Sequence, residues 1–294
     1  MFVFKNFLIW EGDMAAAGVS ACGIFTPTHL FVSALCLLFL FLALYFSRNL
    51  GERQLDRIVR VLAFPIAALE CCKIAFNFAH GGFLPKHWLP LSFCSFAIFA
   101  YFMIGFGRGR VHDLGRAFMC GGGIIGGLTF LLYPMTSVAH YPMLHLLSCY
   151  SMLYHTVMMY VGLVYVQNGF YRYGKRGYLQ FLQFTVPACL LALSVNVVYS
   201  FFGAVEDCNM MFLSHPNLLP DLFPFIGTAY AAVPWVYTLG ALAVYLILPY
   251  AVPLLVCRLV EHFRRPAEET LITLDPEGVL AAEEEARDTV TDTL

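Results

Sequence analysis

Cysteine and histidine residues inside the apolar segments of this 294-residue chain could carry nucleophilic chemistry. Acyl transfer needs a nucleophile, a base that takes its proton, and donors for the oxyanion that forms. Cys94 is a candidate nucleophile, with Ser92 and Ser95 as alternatives, and His155 or His145 could be the base. A thiol attacks only as the thiolate, which apolar surroundings oppose. Acyl transfer or hydrolysis at Cys94 therefore requires a cation nearby.

A polar stripe in the second apolar segment could supply that cation. Glu70, Lys73, Asn77 and His80 are three, four and three residues apart, so they share one helical face. A charge at mid-bilayer costs about 2.5–3.5 kcal/mol on insertion scales. We therefore predict that the stripe faces protein, with Glu70 paired to Lys73. Lys73, Asn77 or Asn209 could act as oxyanion donors; alternatively, the pair only pins neighbouring helices.

A second stripe of polar residues runs along the fifth apolar segment and comprises His145, Ser148, Met152 and His155. At 1.5 Å per residue, Cys94 lies roughly 9 Å and His155 roughly 17 Å from the outer ends of their segments. We predict that both border one polar pocket near the outer leaflet. The difference of about 8 Å is too large for a direct hydrogen bond unless a helix is shifted or tilted.

The composition indicates the elements that must position these residues. Hydrophobic residues make up 60% and charged residues 12% of the chain, against about 25% charged in soluble domains. A membrane span needs about 20 mostly apolar residues. We predict an all-α polytopic membrane protein with seven transmembrane helices: Leu30–Phe46, Ile58–Phe78, Trp88–Phe106, Leu114–Tyr133, Leu144–Val166, Leu179–Phe202 and Ala232–Val256.

Basic residues set the orientation, because they are retained in the cytosol. They follow the first, third, fifth and seventh spans, whereas the other side has only Lys5 and Lys86. We predict that the protein lies in the cytoplasmic (inner) membrane, with its N-terminus outside and its C-terminus in the cytosol. Residues 1–28 form an extracytoplasmic segment, residues 29–259 the membrane domain, and residues 260–294 an acidic, largely disordered cytosolic tail.

Membrane lipids are the predicted partners, and the oligomeric state stays open. Residues 266–294 hold nine of the 19 acidic residues, so the rest of the chain is net basic as its loops require, and nothing indicates nucleic-acid binding. The histidine spacings fit no compact ligand motif, so we expect neither metal nor cofactor. Cys22 and Cys208 fall in outer loops, where they form either a disulfide or two thiols.

Several short motifs, in order and spacing, resemble the YwaF-like bacterial integral membrane proteins, a match that runs from about Phe25 to Pro253. They are Phe25–Leu30, Glu70 with Lys73, Leu89–Cys94, a glycine-rich span closing on Pro134, the His155 region, Asn209–Leu213 with Pro216, and Pro234–Tyr237. Asn209 and Trp235 therefore join the predicted binding residues. The family usually has histidine where this chain has Ser92.

That family is distantly similar to an animal membrane protein family linked to acyl transfer onto ether phospholipids, which implies a cysteine and a histidine in catalysis. Its Pro-Cys-His motif would align on Leu91 and Ser92, so only His155 carries over by position and Cys94 is the nearest thiol. The alternative function is a non-enzymatic carrier of small solutes or ions, a lipid-binding scaffold or a sensor. No inverted repeat or pair of broken helices indicates a transporter.

Overall fold

The computed structural model describes residues 6–81, 89–202, 208–216 and 224–274, and all regular structure in them is helical. The helices are α1 (Glu11–Met14), α2 (Pro27–Ser47), α3 (Glu52–Gly81), α4 (Phe96–Phe106), α5 (Arg110–Leu132), α6 (Leu146–Gln167), α7 (Lys175–Phe201), α8 (Pro224–Ala232) and α9 (Pro234–Leu274). Helix α5 contains a π-helical segment, Met119–Gly123, and a short 3₁₀ turn covers Met210–Phe212.

Each of the seven predicted spans corresponds to a helix, namely α2 to α7 and α9. Five of these are long and apolar enough to cross a membrane: α2, α5, α6, α7 and the Pro234–Val260 part of α9. Helix α3 is long but carries charged residues at its start and middle, and α4 has only 11 residues. The protein is therefore an all-α, multi-pass membrane protein, while the count of seven and the orientation stay predictions.

Helix α4 begins later than its predicted span, whose first residue, Trp88, lies outside the described residues. Residues 92–95 form a turn in which the Ser92 hydroxyl accepts from the Ser95 amide at 3.2 Å and contacts the Ser95 hydroxyl at 2.7 Å. Side-chain bonds of this kind offer the backbone an alternative to the helix, and Pro90 has no amide to donate. Cys94 therefore lies on a turn at the amino end of α4.

Helix α6 is the most buried of the five long apolar helices: 78% of the residues in its 18-residue apolar stretch are buried, against 11% for α2. It packs against α2, α3 and α5. The α5–α6 approach depends on glycine. A Cβ at Gly162 would lie 2.3 Å from the Met119 carbonyl oxygen, and one at Gly127 would lie 2.3 Å from Met159 Cγ. Both distances are far below van der Waals contact, so the two helices pack backbone to backbone only because neither residue has a side chain.

A polar network joins three helices at the end of the bundle that carries the basic loops. Asp56 on α3 accepts a hydrogen bond from the Tyr165 hydroxyl of α6 at 2.6 Å, and His112 Nε2 of α5 lies 3.1 Å from the same oxygen. Arg116 binds both Glu52 and Asp113. The network fixes the register of α3, α5 and α6 at this end.

The chain divides into two compact units, Met1–Ala251 and Val252–Leu294. In the second unit α9 continues as a helix to Leu274, beyond the predicted end of the membrane domain at residue 259. Residues 275–294 of the predicted tail lie outside the described residues, as do Lys5 and Lys86.

Candidate intramembrane polar site

The charged pair of α3 is held between α3 and α6. Glu70 is 4% exposed, and its Oε1 lies 2.6 Å from Lys73 Nζ. The Tyr150 hydroxyl of α6 donates to Glu70 Oε2, and the Lys73 ammonium lies 5.7 Å from the centre of the Tyr150 ring. The carboxylate is thus paired, hydrogen-bonded and turned toward protein, which is the arrangement that makes a buried charge tolerable.

Cys94 is fixed at the junction of three helices. Its carbonyl oxygen accepts a hydrogen bond from the Tyr154 hydroxyl of α6 at 2.6 Å. Its sulfur lies 3.3 Å from where a Cβ on Gly126 of α5 would be. The turn precedes α4, so Cys94 lies at the amino end of that helix.

His155 of α6 is oriented in the way that a general base requires. Its Nδ1 lies 2.7 Å from the Ser151 carbonyl oxygen, so the proton of the neutral ring belongs on Nδ1. The lone pair is then on Nε2, for which the described residues provide no hydrogen-bond partner. The ring stacks on Phe130 with centroids 3.7 Å apart.

Cys94 and His155 pack against the same face of α5. Their contacts, Gly126 and Phe130, are four residues apart, which is about 6 Å along a helix. Within the part of the chain that is described, no hydrogen bond joins the Cys94 sulfur to a histidine. Tyr154 contacts both the Cys94 carbonyl and the His155 ring, and it packs on Tyr150, which binds Glu70. The structure therefore brings four of the predicted site residues together without a formed thiol–imidazole pair.

His145, the second candidate base, has a structural role. Its Nδ1 accepts from the Leu147 amide at 3.2 Å, which caps α6, and its Nε2 lies 3.0 Å from the Ile9 carbonyl oxygen. The ring also stacks on Tyr141 with centroids 4.2 Å apart. Both ring nitrogens are occupied, so protonation would break the cap.

The remaining predicted residues have other surroundings. The Ser92 hydroxyl is engaged with Ser95, and Asn77 is half-buried one helical turn beyond Lys73. Asn209 organises its own loop, since it donates to the His215 carbonyl at 2.7 Å and accepts from the Ser214 amide at 3.0 Å. Trp235 is 65% exposed at the start of α9.

Sequence reasoning missed the aromatic side chains that organise the site. Tyr150 and Tyr154 bind Glu70 and Cys94, and Phe130 covers one face of His155. One signal was available, because a tyrosine buried in a span must find a partner for its hydroxyl. The spacing of four residues between Tyr150 and Tyr154 puts both on one side of α6.

Among the described residues, no group of three histidine, cysteine, aspartate or glutamate side chains could hold a metal ion. Cys22 and Cys208 are thiols with different surroundings: the first lies 3.4 Å from the Thr26 hydroxyl, and the second donates to the Asn196 side chain at 3.5 Å. The structure thus has thiols where the sequence left a disulfide open.

A family model described as the TMEM164 family matches residues 24–260. The chain belongs to the TMEM164 family. The match includes the whole cluster of Glu70, Lys73, Cys94 and His155. TMEM164 is an animal ether-lipid acyltransferase family, so the distant relationship expected from the sequence is confirmed, whereas the YwaF-like assignment stays a prediction. Comparisons with curated proteins and with solved structures found no match.

Proposed function

We propose that this TMEM164-family protein transfers acyl chains between membrane lipids, with Cys94 as nucleophile and His155 as base. One observation carries the proposal. A thiol at a helix amino end and an imidazole with a fixed tautomer pack about one turn apart on α5, and the half-buried Lys73 side chain lies on the neighbouring helix α3. Of the two candidate bases, His145 uses both ring nitrogens in hydrogen bonds, whereas Nε2 of His155 has no hydrogen-bond partner among the described residues.

The reaction would proceed in two balanced steps. The Cys94 sulfur attacks the ester carbonyl of a donor phospholipid, and its proton moves to His155 Nε2. The carbon–oxygen bond breaks, the lysolipid leaves with that proton, and a thioester remains on Cys94. The hydroxyl of an acceptor lysolipid then attacks the thioester, gives its proton to His155, and the proton returns to the sulfur as the new ester leaves. Water in place of the acceptor would give hydrolysis.

An apolar groove beside the site supports a lipid substrate. It lies between α2 and α6, has a volume of about 330 Å³, and is lined by residues such as Val32, Leu35, Met152 and Thr156. Thr156 follows His155 in α6, so the groove and the candidate base lie on adjacent faces of the same helix. Apolar burial favours such a chain in proportion to its length.

The contacts between helix ends support seven spans. The start of α3 binds the start of α5 through Glu52 and Arg116, while His29 at the start of α2 binds the Leu131 carbonyl near the end of α5. The Arg60 side chain near the start of α3 donates to the Gly105 carbonyl near the end of α4. Helices α3 and α4 thus run beside helices that qualify as spans.

With the basic loops in the cytosol, the site faces the outer half of a bacterial cytoplasmic membrane.

The test uses full-length protein reconstituted with a donor phospholipid that carries an alkyne-labelled acyl chain and with a lysophospholipid acceptor. Cys94→Ala should abolish transfer, and His155→Gln should slow it by about 10²–10⁴-fold, the usual contribution of a general base. Wild-type protein should carry a label that neutral hydroxylamine removes. Cys72→Ala, which removes an exposed thiol of α3, is the control. Full activity of Cys94→Ala would refute the proposal.

A second candidate is a non-enzymatic lipid-binding scaffold. The tight stack of Phe130 on His155 and the missing thiol–imidazole hydrogen bond favour it, because a static core would look the same. In that case the labelled lipid would bind wild type and Cys94→Ala equally, with neither transfer nor covalent labelling.

A further inference from the structure

A second polar cavity lies at the opposite end of α5 from the Cys94 site. It has a volume of about 230 Å³ and is lined mainly by Asp113, Arg116, Tyr171, Arg172, Arg176 and Gln180. Three guanidinium groups face one carboxylate, so the lining is net positive. Arg116 and Gly126 are ten residues apart, about 15 Å along α5. This cavity is therefore separate from the proposed catalytic site.

The single acid in the lining is already neutralised. Asp113 Oδ1 accepts from Arg116 Nη2 at 3.0 Å, and Asp113 Oδ2 accepts from the Gln180 amide at 3.3 Å. Arg176 Nη2 lies 3.9 Å from the same Oδ2 and its side chain is 88% exposed. Arg172 and Arg176 consequently add positive charge that the lining does not balance.

The backbone adds donors to the same cavity. Helix α7 starts at Lys175, and the residue before it, Gly174, has no side chain that could cap the amides of the first turn. Arg176 and Gly177 belong to that turn and line the cavity. The first amides of a helix have no partner within the helix and carry the positive end of its dipole, which favours a bound anion.

Two tyrosines hold the first turn of α7 against the cavity. Tyr171 is only 7% exposed, and the Tyr250 hydroxyl accepts from the Gly174 amide and donates to the Gly174 carbonyl, both at 2.8 Å. Both hydroxyl oxygens would lie 2.7 Å from a Cβ placed on Gly177. The backbone of this turn is therefore fixed where it borders the cavity.

We infer that this cavity binds a phosphate group, held by Arg172, Arg176 and the first turn of α7. Phosphate suits the lining because its oxygens accept several charge-assisted hydrogen bonds at once, including the paired bonds that guanidinium groups donate. The phosphate could belong to an anionic phospholipid headgroup or to a soluble compound. The inference holds whether or not Cys94 is catalytic, because it concerns another site and is tested by binding.

The experiment titrates full-length protein, purified in an uncharged detergent, by calorimetry. The probes are dioctanoyl phosphatidate, inorganic phosphate, and dioctanoylglycerol as the lipid without phosphate. The test variant is Arg172→Gln with Arg176→Gln, which alters two exposed side chains and should leave thermal unfolding without ligand unchanged. The matched control is Arg53→Gln with Arg57→Gln, which removes two exposed arginines from the start of α3.

Phosphatidate should bind saturably and dioctanoylglycerol should not. The test variant should bind at least about tenfold more weakly, since each charge-assisted bond contributes roughly one factor of ten or more. Competition by inorganic phosphate would point to a soluble source, and its failure to compete would point to a headgroup. Equal weakening in the control, or no saturable binding of either phosphate probe, would overturn the inference.

Discussion

Removal of the cation from the Glu70–Lys73 pair should destabilise the protein more than removal of the anion. Lys73→Met leaves a carboxylate that is 4% exposed, with Tyr150 as its remaining partner among the contacts described above. Glu70→Gln leaves an ammonium whose side chain is 25% exposed and can be solvated. Glutamine also still accepts from Tyr150. The asymmetry follows from the unequal burial of the two partners.

The expected sizes come from burial and bonding. Breaking a buried ion pair costs about 3–5 kcal/mol, and the retained Tyr150 hydrogen bond places Lys73→Met near the lower end. We expect about 3 kcal/mol for that variant and about 1 kcal/mol for Glu70→Gln, whose leftover charge is partly exposed. The double variant should cost about 1 kcal/mol, since no charge remains buried. At about 2–4 °C per kcal/mol, Lys73→Met lowers Tm by roughly 6–12 °C.

The assay is thermal unfolding of each variant in detergent, followed by the monodisperse fraction after heating. If both single variants unfold at the same temperature as the double variant, Glu70 and Lys73 contribute no coupling to stability and the reasoning is refuted.

Three further predictions concern packing, polar contacts and topology. Gly162→Ala should prevent stable folding or lower Tm by at least 10 °C (about 3 kcal/mol or more), because its Cβ would meet the Met119 carbonyl at 2.3 Å. The control for thermal unfolding is Gly240→Ala, since a Cβ at Gly240 would have open space around it. Asp56→Asn should cost about 1–3 kcal/mol of stability, measured by the same assay, because it weakens the Tyr165 and His112 contacts. Reporter fusions placed after each basic cluster should all give a cytosolic signal, and one periplasmic signal would contradict seven spans; the positions are Arg48, Arg108, Arg172 and Arg265.

The sequence was most informative where a periodic pattern decides the environment. The spacing of three residues between Glu70 and Lys73 predicted that both lie on one helical face turned toward protein, and the cost of a charge in lipid required it. Spans such as α2 and α7 could be predicted from apolar length alone. These features depend on neighbouring residues in the chain, which a sequence displays directly.

The features that sequence reasoning missed depend on residues far apart in the chain. Tyr150 meets Glu70 across 80 positions, and His145 meets Ile9 across 136. Periodicity shows which side of a helix is buried, but it does not show which atom lies opposite. The late start of α4 was missed for a local reason, because an apolar composition was taken as helical through a turn that serine side chains stabilise.

Hydrogen bonding separates the histidines that the sequence could only group by depth. His29 uses both ring nitrogens, accepting from the Phe25 amide at 3.1 Å and lying 3.2 Å from the Leu131 carbonyl. His145 does the same with Leu147 and Ile9. Each ring cross-links two backbone segments, because one ring nitrogen accepts from an amide and the other contacts a carbonyl oxygen. His155 makes one such bond and keeps Nε2 for another task, on the side of the bundle where Cys94 and Lys73 converge.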